Sequence, residues 1–225
     1  MNKRVFVVAA LGLAAVLVAG GLVASNMGFK ANYAMDGPLA NMSSSGTQTL
    51  ALPYNQQTSI VTAEDLINDI EADAMDTSLV ASLSRFVRTT DAAETYTGFS
   101  GTNFAITPGD GYKVVITGSV NYIIVGSHNP TLAITFDGPG DNGSASGTQQ
   151  WSYPYHSTAA TAEDLIDEIN LAAGTSVVAS VSRFLRTTDG AETYTGFSGT
   201  NFGLTVGEAY KIVVTASVTY VPSHY

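Results

Sequence analysis

The sequence predicts a mainly β (α+β) protein: two tandem antiparallel β-sandwich-like modules, each with one short amphipathic helix, after an N-terminal hydrophobic leader. Three observations carry that expectation. One set of short motifs occurs twice, about a hundred residues apart. The longest apolar alternation has the period of a strand, two residues. Of 225 residues only 12% are charged while 22 are glycine, a balance that suits turn-rich sheets better than a helical bundle.

The leader comes first. Lys3 and Arg4 precede an unbroken apolar run from Val5 to Ala24, and Val23 and Ser25 suit a cleavage site just before Asn26. The same run is long enough to span a bilayer if it is kept. The positive end would then stay inside and leave the body outside. The expected units are therefore residues 1–25, a signal peptide or retained anchor, then module one over 26–129 and module two over 130–225. The body is expected outside the cell or on its surface, touching a membrane only through the leader.

The repeat fixes that division. Asp36-Gly37-Pro38 returns as Asp137-Gly138-Pro139, and Ser45-Gly46-Thr47-Gln48 as Ser146-Gly147-Thr148-Gln149. Pro53-Tyr54 matches Pro154-Tyr155, and the stretch from Ala93 to Phe104 recurs unchanged from Ala191 to Phe202. Before each Asp-Gly-Pro lies a strand-like segment. In module one it is Gly28, Phe29, Lys30, Ala31, Asn32, Tyr33, Ala34 and Met35, the candidate for a strand donated to another copy.

Next, Thr62 reads as the N-cap of a helix, with Asp65 as the acid of a capping box. Ala63, Leu66, Ile67 and Ile70 fall on one helical face. Glu64, Asp65 and Asp69 sit in early turns, where the helix dipole favours acids. From Leu79 to Arg88, alternation places Leu79, Ala81, Leu83 and Val87 on one face together with Arg85. Arg183 lies likewise in module two. An arginine on an apolar face needs a partner, and Glu94 and Glu192 are the natural ones. The expected structural ion pairs are thus Arg85 with Glu94 and Arg183 with Glu192, with anion binding by the arginines as the rival use. Finally Tyr112, Val114, Ile116, Gly118, Val120 and Tyr122 alternate with mostly polar neighbours. They read as one long half-buried strand that bends at Gly118.

The order Leu52-Pro53-Tyr54, Thr62-Ala63-Glu64-Asp65-Leu66, Arg85-Phe86 and Pro108-Gly109-Asp110-Gly111-Tyr112-Lys113-Val114 resembles a repeat of bacterial secreted proteins. That resemblance implies a compact β-domain outside the cell and carries no catalytic residues. Module two departs from it at Tyr153, Val206 and Glu208-Ala209.

Several chemistries are excluded or weakly signalled. No cysteine is present, which removes disulfides, thiolate metal sites, cysteine nucleophiles and a lipoprotein anchor. Without Lys3 and Arg4 the formal charge of −10 becomes about −12, so nucleic acid and anionic lipid are not expected partners. Gly98-Phe99-Ser100-Gly101-Thr102 misses the nucleophile-elbow pattern at its last position. His128, His156 and His224 lack zinc-ligand spacing and read as surface residues. Asp137, Asp141 and Asn142 have calcium-ligand chemistry without the spacing of a calcium loop, which makes them a weak metal candidate.

The expectation is an exported, non-catalytic structural or cell-surface protein without a cofactor. It would assemble with itself or with cell-surface components, as a filament or surface layer, through sheet edges or strand donation. The alternative is an extracellular tandem module that binds carbohydrate or another ligand, since exposed tyrosines can stack on sugar rings.

Overall fold

In both modules the alternating apolar residues close a core between two antiparallel sheets. The computed structural model describes residues 29–56, 59–127, 129, 132–155 and 157–223. The leader, Gly28 and all three histidines lie outside them. Module one contains β1 (Phe29–Met35), β2 (Thr47–Ala51), β3 (Asn55–Gln56), α1 (Ala63–Ala74), β4 (Val80–Val87), β5 (Ala92–Tyr96), β6 (Gly111–Ile116) and β7 (Val120–Ser127). Its sheets run β2-β6-β4-β5 and β1-β7-β3. Module two contains β8 (Ile134–Phe136), β9 (Thr148–Ser152), α2 (Ala162–Ala173), β10 (Val178–Leu185), β11 (Gly190–Tyr194), β12 (Ala209–Val214) and β13 (Val218–Tyr220). Its sheets run β9-β12-β10-β11 and β8-β13. The chain is mainly β, in two modules of paired antiparallel sheets.

The helices form where the sequence places their signals. Thr62 Oγ1 accepts from the Asp65 N–H, and the Asp65 carboxylate accepts from the Thr62 N–H at 2.9 Å. Thr161 and Asp164 repeat this box. Leu66, Ile67 and Ile70 then enter the core beside Leu50, Leu83, Tyr112, Val114 and Tyr122. Burying each such side chain contributes about 1.5–3 kcal/mol.

Two features depart from the sequence expectation. The segment from Tyr112 to Tyr122 is two strands, because β6 and β7 belong to different sheets. The chain changes sheet between Ile116 and Val120, at the glycine read as a bend. Both sheets face one core, so Tyr112, Val114, Ile116, Tyr122 and Ile124 stay buried in the same phase, which is why the pattern imitates a single strand. The second departure is in β4. Its register against β6 shifts between Val80 and Ser82, so Leu79 and Val80 are both buried while Ala81 is exposed. A bulge of this kind breaks strict alternation.

The opposite face of each four-stranded sheet is built from small and polar residues. Register pairs Thr49 with Lys113 and Thr47 with Val115, and in module two Gln150 with Lys211 and Thr148 with Val213. These two faces meet. A Cβ placed on Gly111 would stand 2.4 Å from the Ala209 Cβ, so glycine is what permits this approach. Lys113 Nζ lies 4.8 Å from the Phe184 ring centre and Lys211 Nζ 5.6 Å from that of Phe86.

Candidate functional site

The contacts between modules are reciprocal. Arg88, just past β4, binds Asp137 of module two, and Arg186, just past β10, binds Asp36 of module one at 2.9 Å. The same arginines donate to Gln149 Oε1 at 3.2 Å and to Gln48 Oε1 at 3.3 Å. Ser45 Oγ donates to Asp189 at 2.8 Å, and Ser146 Oγ to Asp91 at 2.9 Å. The backbone follows suit: Ser44 N bonds Arg186 O and Ala145 N bonds Arg88 O. Each module therefore presents both halves of one self-complementary surface, as the partners of a two-fold dimer do. In the sequence Asp36 marks only a repeated Asp-Gly-Pro and Asp137 a weak metal candidate, and neither reads as half of an ion pair. Their partners lie far away in sequence, so no local pattern betrays them.

The residues singled out from sequence fall as follows. Arg85 Nε lies 2.7 Å from Glu94 Oε2, and Arg183 Nη2 is equally close to Glu192. In both cases cross-strand register sets the pair opposite one another. Each guanidinium also covers an aromatic ring, Arg85 over Phe104 and Arg183 over Phe202, both at 5.0 Å. Asp137 holds Arg88 and accepts from Asn142 Nδ2 at 2.7 Å, whereas Asp141 accepts from Ser217. Two of these three oxygen-bearing groups are thus joined to each other through an amide N–H, beside a cation the protein supplies itself. Asn41 makes the matching bond to Asp36. Among the described residues no group of three or more histidine, cysteine, aspartate or glutamate side chains is placed to hold a metal ion. Phe29 to Met35 forms β1, an edge strand on β7 of its own module. Ser100 Oγ shares a hydrogen bond with Thr97 Oγ1 within the turn.

Among the clefts where the modules meet, two lie at matching positions. The narrow one, about 170 Å³, is lined by β1 and β2 of module one and by Phe184, Arg186 and residues 205–208 of module two. Tyr33 enters it: its hydroxyl donates to Ala51 O at 2.7 Å, and its ring lies against Gly207. The wide cleft, about 720 Å³, lies at the matching position with the modules exchanged. Ile134 stands there in place of Tyr33, since it pairs with Tyr220 as Tyr33 pairs with Tyr122. Tyr54 reaches the corresponding carbonyl, that of Ser152, at 3.2 Å, and accepts from Trp151 Nε1 at 2.7 Å. Half-buried Asp110 also lines this cleft. Burial pushes its carboxyl above the usual carboxylate range, against the pull of Arg88 and Arg85. Gln149 Nε2 at the cleft has no hydrogen-bond partner, and neither has Gln48 Nε2 at the other. Burial raises the Tyr33 and Tyr54 phenols too.

These features define a duplicated β protein whose two modules dock on each other by a self-complementary polar face. No protein-family model matches the chain, and neither the curated proteins nor the solved structures include a match.

Proposed function

We propose that the protein is an exported, non-catalytic structural component of the cell surface that assembles with copies of itself. The observation that carries this reading is the reciprocity of the module interface. A surface that module one offers to module two of its own chain fits module two of another chain equally well. Exchange that closes gives a dimer, and exchange that does not close gives a filament. The edge strand β1 offers a second route, strand donation into a neighbouring copy. The hydrophobic leader and the resemblance to secreted repeats support placement outside the cell.

The absence of cysteine allows a direct test. Ser45→Cys and Asp189→Cys are made in separate chains, refolded together and oxidised, and assembly is imaged by negative stain. The two positions face each other across the module interface, so a disulfide between chains forms only when modules exchange. A cross-linked product together with oligomers or filaments is expected. Monomers alone, with no inter-chain disulfide, would overturn the proposal.

A further inference from the structure

We propose that the wide cleft between the modules is a binding site for a neutral saccharide ring. The inference goes beyond the assembly reading and is independent of it, because the cleft forms wherever module one meets module two.

The first argument is asymmetry. The two clefts derive from one repeated surface and a tyrosine enters each, Tyr33 against Gly207 and Tyr54 against Gly109, yet the first holds about 170 Å³ and the second about 720 Å³. That volume lies within the range of about 300–1,000 Å³ typical of small-molecule sites, which favour domain interfaces. Ile134, at the position of Tyr33, and Tyr54 both line the larger space, so a larger side chain at 134 would intrude on it.

The second argument is chemistry. Tyr54 and Phe86 supply half-buried aromatic surface, while Arg88, Asp110, Gln149 and Gln150 supply flat polar groups. A sugar ring needs both, an apolar face of C–H bonds and a rim of hydroxyls that donate and accept. The permanent charges nearby cancel, Arg88 against Asp137 and Arg85 against Glu94. An anion would face Asp110 on a chain of net charge −10, and a cation would face both arginines. A hydrocarbon would leave Asp110 without a new partner, where a hydroxyl can serve it.

Trp151 is the sole tryptophan and lines the cleft, so its emission reports binding directly. The full chain is titrated with glucose, galactose, mannose, N-acetylglucosamine and cellobiose, following fluorescence and heat. Ile134→Tyr, which restores module one's own residue, is the test variant, and Phe99→Ser, on a distant turn, is the control. A saturable response to at least one sugar is expected in the wild type and the control, and should vanish in Ile134→Tyr. No saturable response to any of the five, or an equal response in Ile134→Tyr, would overturn the proposal. Co-sedimentation with cellulose or peptidoglycan, competed by the free sugar, identifies the source as a polymer. A response in solution without co-sedimentation identifies a free sugar, and the site stands in both cases.

Discussion

Arg186 Nη1 lies 2.9 Å from Asp36 Oδ2 although 150 residues separate them in the chain. The Asp36 side chain is only 9% exposed and takes its counter-charge from the other module. Arg88 supplies that of Asp137. Separating the modules therefore takes the counter-charge from two carboxylates at once.

Removing one arginine should weaken the whole molecule. Arg186→Ala deprives Asp36 of a charge-assisted hydrogen bond, with an expected loss of about 2 kcal/mol. Arg88→Ala should cost a similar amount. Urea unfolding followed by circular dichroism is expected to show one cooperative transition shifted in both variants. Two separate transitions, only one of them shifted, would show that the modules unfold independently.

The close approach of the facing sheets makes a second prediction. Gly111→Ala adds a methyl where the Ala209 Cβ already stands, and overpacking of this kind costs about 1–3 kcal/mol. Ala209→Gly removes the opposing methyl and alone should cost less than about 1 kcal/mol. Together the two changes exchange methyl and glycine across the interface, so the double variant should recover most of the loss. A double-mutant cycle in urea measures this, and simple additivity would mean the sheets do not touch there.

The sequence made legible whatever rests on local pattern. Thr62 and Asp65 announce the helix start because a capping box spans only four residues, and the duplicated Asp-Gly-Pro and Pro-Tyr motifs reveal two modules. Arg85 stands out because it interrupts an apolar face, and its partner Glu94 lies across a short hairpin. Arg88 gives no such signal: it stands at the end of the alternating run, and its partner belongs to another module. The repeat aligns Tyr33 with Ile134, each three residues before its Asp-Gly-Pro, but only register and docking show that the two positions stand in clefts.

Acid and base should act on two aspartates in opposite directions. The folded-state value of Asp110 is raised from its ordinary 3.8. Its contribution is therefore complete below that value and is lost as pH rises through the folded one. Asp110→Asn should match the wild type at about pH 3 and exceed it in stability at about pH 7. Asp65 is shifted downward, chiefly by the Thr62 hydroxyl. Its contribution is present above 3.8 and is lost as pH falls through the folded value, so Asp65→Asn should be weaker at neutral pH and converge with the wild type in acid. Urea midpoints at the two pH values test both, and a common direction of change would contradict the assignment.

The unchanged stretch from Ala93 to Phe104 holds two phenylalanines with opposite fates. Phe104 is 2% exposed, stacks on Tyr112 with ring centres 6.2 Å apart, and lies under Arg85. Phe99 is 98% exposed at the tip of its turn, and so is Phe197. Phe104→Ala should cost about 3–5 kcal/mol, as cavity-forming aromatic truncations do. Phe99→Ser, alone or with Phe197→Ser, should shift stability by no more than about 0.5 kcal/mol. Thermal melts of the three variants decide this. Because folding does not require the exposed pair, any loss of assembly in Phe99→Ser/Phe197→Ser at unchanged melting temperature would belong to a surface contact between molecules. A fall in melting temperature would instead mean that the tips pack against the fold, and would remove them as candidates for that contact.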